Sequence, residues 1–114
     1  MAITDKEKKI KAEKNRLKKI FKDLDANKLK TVDALIARAA FITVNLQEIE
    51  EQLNETGWTE PYQNGRNQSG LKKSAAADVH ISLTKNLNAI MKQLLDLVPP
   101  AKKEESRLAA MMNR

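Results

Sequence analysis

Apolar residues recur along most of this chain at steps of three and four, the spacing that gathers them on one side of an α-helix. The clearest run is Val32, Leu35, Ile36, Ala39, Ile42, Leu46, Ile49 and Leu53, which predicts a helix from about residue 28 to residue 56. A second stripe, Ala34, Ala37, Phe41 and Val44, covers another side of its first half. A helix apolar on two sides needs more than one neighbour. A rise of 1.5 Å per residue makes it about 43 Å long. Gly57 suits a left-handed helix stop, and Trp58 just beyond it can fold back on Leu53.

Two further helices flank this one. Thr4-Asp5-Lys6-Glu7 reads as a capping box, with Ile10, Leu17, Ile20, Phe21 and Leu24 as a sparse stripe behind it. The thin spacing between Ile10 and Leu17 leaves the first turns to solvent or to a partner. Asp23 to Asn27, with two Asp and one Asn, is a break and a fresh start. The last stripe is Val79, Leu83, Leu87, Ile90, Met91, Leu94, Leu97 and Val98; its helix starts near Ser69 or Ser74 and is stopped by Pro99-Pro100. Residues 57–73 read as a polar loop, and residues 101–114 as a charged tail with a helical turn around Leu108–Met112.

The fold class expected is all-α. A basic N-terminal helical arm, 1–27, precedes a long antiparallel helical hairpin, 28–100, with its loop at 57–73 and the tail 101–114 beyond. The first helix is expected to pack across one end or to extend away. Apolar stripes in surplus of what one hairpin covers predict a homo-oligomer.

Composition narrows the function classes. There is no cysteine among the 114 residues, which excludes disulfides and thiolate metal sites. No apolar run is long enough to span a membrane, and the charged start lacks an apolar signal core, so no membrane role and no export are expected. Aromatic residues are only 4%, which fits helices packed on aliphatic side chains. The formal charge of +6 is unevenly placed: residues 1–30 hold 11 Lys/Arg against 5 Asp/Glu, and residues 31–60 hold 1 against 6. A basic arm beside an acidic helix points to a polyanion partner, or to association between unlike ends.

Lys8, Lys9, Lys11, Lys14, Arg16, Lys18, Lys19 and Lys22 are the candidate DNA-binding set. Clustered cations bind phosphates by releasing counterions. On the sequence alone they lie nearly all round the helix, and a solvated helix face explains them as well. A helix-turn-helix across residues 4–46 is a weaker reading, because the turn lacks glycine and no base-reading amides group on the second helix. The 57–73 loop holds all three glycines of the chain and several amides, and Lys72-Lys73-Ser74 sits at a helix start, where N–H groups favour anions. Gly65 to Gly70 is not a Walker loop, since Leu71 follows where Lys is required. Glu48, Glu51 and Glu55 make an acidic face, and His80 a boundary residue without a second histidine. No Ser/His/Asp or Cys/His set can be drawn, so no enzyme, cofactor or metal site is expected.

Tyr62-Gln63-Asn64-Gly65, Gln68-Ser69-Gly70, Lys72-Lys73-Ser74 and the Leu-rich stretch from Asn86 to Leu97, closed by Pro99, together resemble the small subunits of tailed-phage terminases in their short form. The resemblance covers about residues 28–100. It implies a non-enzymatic DNA-packaging factor, a ring-forming homo-oligomer in the cytoplasm of the bacterial host. Such a factor binds double-stranded viral DNA and delivers it to the large terminase subunit, which carries the ATPase and nuclease. It also implies that Tyr62, Asn64, Gly65, Gln68, Gly70, Lys72, Lys73 and Ser74 form a shared loop contacting DNA, a neighbouring subunit or the large subunit. Many members carry a helix-turn-helix at the front, where this chain has only a Lys-rich helix, which favours binding to the DNA backbone. The alternatives are a non-DNA-binding helical scaffold and a partner-binding regulator.

Overall fold

The computed structural model describes residues 3–24 and 26–98, together with Leu108, Met111 and Met112. The elements run α1 (Asp5–Ile20), α2 (Ala26–Thr56), β1 (Thr59–Gln63), β2 (Ser69–Lys73) and α3 (Ala75–Asp96). The expected all-α class is therefore corrected. The described residues are 73% helical, with three long helices, and the segment read as a loop is an antiparallel two-stranded sheet. Of the expected tail, only Leu108, Met111 and Met112 fall among the described residues, helical and exposed; the Pro99-Pro100 stop lies outside them.

The three helices form where the apolar spacing placed them. Thr4 caps α1, its Oγ1 accepting from the Glu7 N–H at 3.1 Å. The chain turns at residues 21–24, and α2 begins at Ala26, two residues before the expected start. It ends at Thr56, and Gly57 takes the left-handed φ of +86° while its N–H donates to the Leu53 carbonyl at 2.8 Å. An alanine at Gly57 would meet no neighbour, yet it would carry the left-handed backbone cost. Gly57→Ala is expected to lower stability by about 1 kcal/mol in urea unfolding.

Helix α2 is the spine, in contact with both α1 and α3, while Ala34 and Phe41 of its second apolar stripe stay exposed. Along α1, Lys6 Nζ donates to Asn45 Oδ1 at 2.8 Å and pairs with Glu48 at 3.1 Å, while Leu17 and Phe21 join Val32 and Ile36 in the core. Low numbers on α1 thus meet high numbers on α2, and the two run antiparallel. The first helix does not extend away or cross one end; it lies back along α2. Helix α3 is antiparallel to α2 as well, with His80 beside Glu50 at one end and Leu94 beside Val32 and Ile36 at the other.

All three helices converge only at that second end. Leu17, Phe21, Leu24, Val32, Ile36, Ala39 and Leu94 form the core cluster, with Leu29, Leu87, Met91 and Val98 packed against it. Further along, Ala40, Ile42, Val44, Leu46 and Leu53 of α2 and Ala77 of α3 are also buried, but the molecule is extended. The radius of gyration is 19.2 Å, against about 13 Å for a compact chain of similar length. In α3 only Ala77 and Leu94 are buried, so most of the predicted stripe is half-covered and Val79 is exposed. An open apolar groove of about 870 Å³ runs between α2 and α3, lined by Leu35, Phe41, Ile42 and Ile90, with Phe41 55% exposed.

The sheet has a local cause. A glycine in the short connection supplies the left-handed residue that a tight hairpin turn needs. Gly65 adopts φ +76°, and the Asn64 N–H donates to the Gln68 carbonyl at 2.7 Å, closing the tip. The register pairs Thr59 with Lys73, Glu60 with Lys72, Pro61 with Leu71, Tyr62 with Gly70 and Gln63 with Ser69. Glu60 and Lys72 form a cross-strand ion pair at 3.5 Å, and the Tyr62 ring lies over Gly70, where an added Cβ would come within 3.2 Å of Cε1. Apart from the half-buried Glu60, every residue of both strands is exposed.

Candidate nucleic-acid interface

Packing gives α1 the single face that its sequence alone does not. At about 100° per residue, the sides of the helix are fixed once its inward residues are known. Leu17 is buried and Ile10 half-buried, and Lys6 and Glu13 lie close to the same direction. Lys8, Lys11, Asn15, Lys18, Lys19 and Lys22 then fall on the opposite side, at steps of three and four, and all are exposed. Lys22 stands in the turn just beyond the helix. Acidic side chains border it: Asp5 lies three residues before Lys8, Glu7 four before Lys11, and exposed Asp23 follows Lys22 in the turn, while Glu13 faces the body. From Lys8 to Lys19 the ridge is about 16 Å long.

The other cations of the set are placed differently. Lys9 is exposed on one flank, and Lys14 is half-buried towards α2. Arg16 is engaged within α1, its Nε donating to Glu13 Oε2 at 3.0 Å and its second nitrogen to Oε1. The hydrogen bond from Arg16, with the charge of the guanidinium behind it, holds the Glu13 carboxyl below its ordinary range despite partial burial. The same bond, with the Glu13 charge, raises Arg16 above its ordinary value. Arg16 must give up this partner to meet a phosphate, so it is a poorer contact than the ridge lysines.

The helix-turn-helix reading does not fit this geometry. That motif sets its two helices at about 90–120° to free the second for a groove. Here α1 lies antiparallel along α2, with Lys6 at Asn45 and Leu17 in one core with Val32 and Ile36.

The second candidate set forms the hairpin and its root. Tyr62 covers Gly70, and Asn64, Gly65 and Gln68 shape the tip. Lys72 pairs with Glu60 and Lys73 with Asp78, at 3.5 and 3.2 Å. Ser74 is a structural residue: its Oγ accepts from the Ala77 N–H at 3.1 Å as the α3 cap, and its N–H donates to the Trp58 carbonyl at 2.9 Å. Both lysines and the helix start thus already have partners, which weakens the phosphate reading of Lys72-Lys73-Ser74. Ser74→Ala is expected to lower stability by about 1 kcal/mol while leaving the ridge, and any binding through it, unchanged.

Trp58, expected to fold back on Leu53, meets the His80 ring edge-on, with centroids 5.2 Å apart. His80 Nε2 lies 3.2 Å from Glu50 Oε2. This contact joins α2, the hairpin root and α3, and it gives His80 a structural setting. Glu48 is likewise occupied, by Lys6. Among the described residues no group of three or more His, Cys, Asp or Glu is placed to hold a metal ion, and no helix is long and apolar enough to cross a membrane. The two candidate sets do not meet: α1 reaches Asn45 and Glu48 on α2, short of the hairpin root at Gly57.

Comparison with protein-family models, with curated proteins and with solved structures finds no match to this chain.

Proposed function

We propose that this protein is a DNA-binding packaging factor of the small-terminase kind, capturing double-stranded DNA by its backbone through α1. The observation that carries the reading is the exposed row of Lys8, Lys11, Lys18, Lys19 and Lys22 on the outward side of α1 and the turn beyond it. These five cations on one exposed face, with Asn15 among them as a hydrogen-bond donor, match a row of phosphates and read no base. Phosphate contacts of this kind position a protein on DNA without specifying sequence.

In this reading the protein works as a homo-oligomer. Several weak ridges presented together bind far more tightly than one, with no new kind of contact. The bound genome is then handed to a large subunit that supplies the ATPase and nuclease, and this chain performs no chemistry of its own.

The test is fluorescence anisotropy with a labelled duplex of arbitrary sequence over a range of salt concentrations. Expected is a steep linear fall of log affinity with log salt, of slope about −4 to −5 for one ridge, with little preference among sequences. Absence of binding at about 0.1 M salt would sink the proposal and leave a scaffold or a partner-binding regulator.

A further inference from the structure

The two edges of the β-hairpin are not equivalent. Trp58–Ser74 and Asn64–Gln68 are joined by backbone bonds at 2.9 and 2.7 Å, and both continue the register of the sheet. Hydrogen-bonded pairs alternate with non-bonded ones along an antiparallel ladder. The inward-bonded residues are therefore Glu60, Tyr62, Gly70 and Lys72. The residues whose backbone polar groups point outward are Thr59, Pro61 and Gln63 on β1 and Ser69, Leu71 and Lys73 on β2. Pro61 stands at the centre of the β1 edge and has no N–H to offer, which blunts that edge. The β2 edge keeps its full set of donors and acceptors, and at its centre is Leu71, 72% exposed.

Lysines commonly guard such an edge by repulsion. Here the two on β2 are drawn aside by acids of their own chain, Lys72 by Glu60 and Lys73 by Asp78. A two-stranded hairpin is also marginal by itself in water and gains from further strands.

We infer that the β2 edge pairs with the β2 edge of a second copy of this chain, antiparallel about a two-fold axis at Leu71, to give a four-stranded sheet. The strand is complementary to itself in this register. Leu71 meets Leu71 of the second copy, Ser69 meets Lys73, and Gly70 meets Lys72, so no two like charges stand opposite. The outward groups at positions 69, 71 and 73 fall in step, each pair exchanging both backbone bonds. An isologous contact of this kind uses one patch twice. It is smaller than the roughly 1,200 Å² of a stable interface, so the pairing depends on protein concentration unless other contacts add to it. The contact deepens the assembly part of the reading above and is independent of DNA capture, since its tests contain no DNA.

The chain lacks cysteine, so a single introduced thiol reports the contact cleanly. Opposed residues in a bonded antiparallel pair lie about 5.5 Å apart, within the range of roughly 4.4–6.8 Å that a disulfide spans. Under a glutathione redox buffer, Leu71→Cys is expected to form covalent dimer about tenfold faster, or more, than Gln63→Cys on the equally exposed β1 edge. Light scattering of the cysteine-free protein should show mass rising with concentration, and Leu71→Pro, which removes the central donor, should abolish that rise. Equal oxidation rates for the two cysteine variants would overturn the proposal. So would a concentration dependence that Leu71→Pro leaves intact. Should the proline variant lose helical signal, the cysteine pair decides alone.

Discussion

Replacing Lys8, Lys11, Lys18 and Lys19 together by alanine is expected to weaken duplex binding by about 10²- to 10³-fold at physiological salt and to flatten the salt slope by about 3 to 4. The size follows from counterion release: each phosphate that a lysine no longer neutralises keeps about 0.9 of a condensed ion on the duplex, and the four effects are nearly additive. All four side chains are exposed on the side of α1 away from α2, so the fold has no need of them. Alanine also suits the middle of a helix. Far-UV circular dichroism of the variant should therefore match that of the parent. The paired control is Lys85→Ala with Lys92→Ala, which removes two exposed cations from α3. It should change the slope far less than the ridge variant if binding is a property of α1 and not of net charge. An equal effect per lysine at both sites would reduce the ridge to a contributor to overall charge. Arg16→Ala separates the geometry further: with its guanidinium held by Glu13, its removal should matter less than that of any ridge lysine.

How much of this was legible in the chain depends on the range of the cause. The helices were readable because their causes are local: the spacing of Val32, Ile36, Ala39 and Leu53, the hydroxyl of Thr4, and Gly57 at a C-terminus. The hairpin was not read, because its strands are joined through residues 64–68 and not by a two-residue Asn-Gly turn. The flanking strands carry only Tyr62, Pro61 and Leu71 as apolar residues, so neither shows the alternation by which a half-buried strand is recognised. They are held by the Tyr62 ring over Gly70, by the Glu60–Lys72 pair and by their root at Trp58 and Ser74, all of them interactions across ten or so residues. The direction of α1 was also hidden. A sparse stripe does not say whether a helix lies back along its neighbour, and Lys6 reaching Asn45 and Glu48 is a tertiary fact. The candidate site changed for the same reason. The residues were in view, but eight cations around a helix become one ridge only when burial of Leu17 fixes which side faces out.

Leu94→Ala is expected to cost about 3–4 kcal/mol, a large share of the stability of so open a molecule. Leu94 is fully buried, 0% exposed, in the one place where all three helices meet. Leucine and alanine are both good helix formers, so the cost lies in reduced packing and the cavity left behind, not in the propensity of α3. Leu87, half-buried two turns earlier on the same stripe, should cost about half as much when cut to alanine. Leu71→Ala, on the exposed hairpin, should change stability by less than about 0.5 kcal/mol. Urea unfolding at low protein concentration measures all three, and the order Leu94, Leu87, Leu71 is the test; a Leu94→Ala variant as stable as Leu71→Ala would refute the convergence of the helices. A double-mutant cycle tests it more finely. Leu17 on α1 is buried in the same cluster, so removing both side chains opens a shared cavity. The combined destabilisation should fall short of the sum of the single ones by about 0.5 kcal/mol or more. Full additivity would mean that α1 does not pack against α3 at this end, and the ridge would lose the anchor that fixes its outward face.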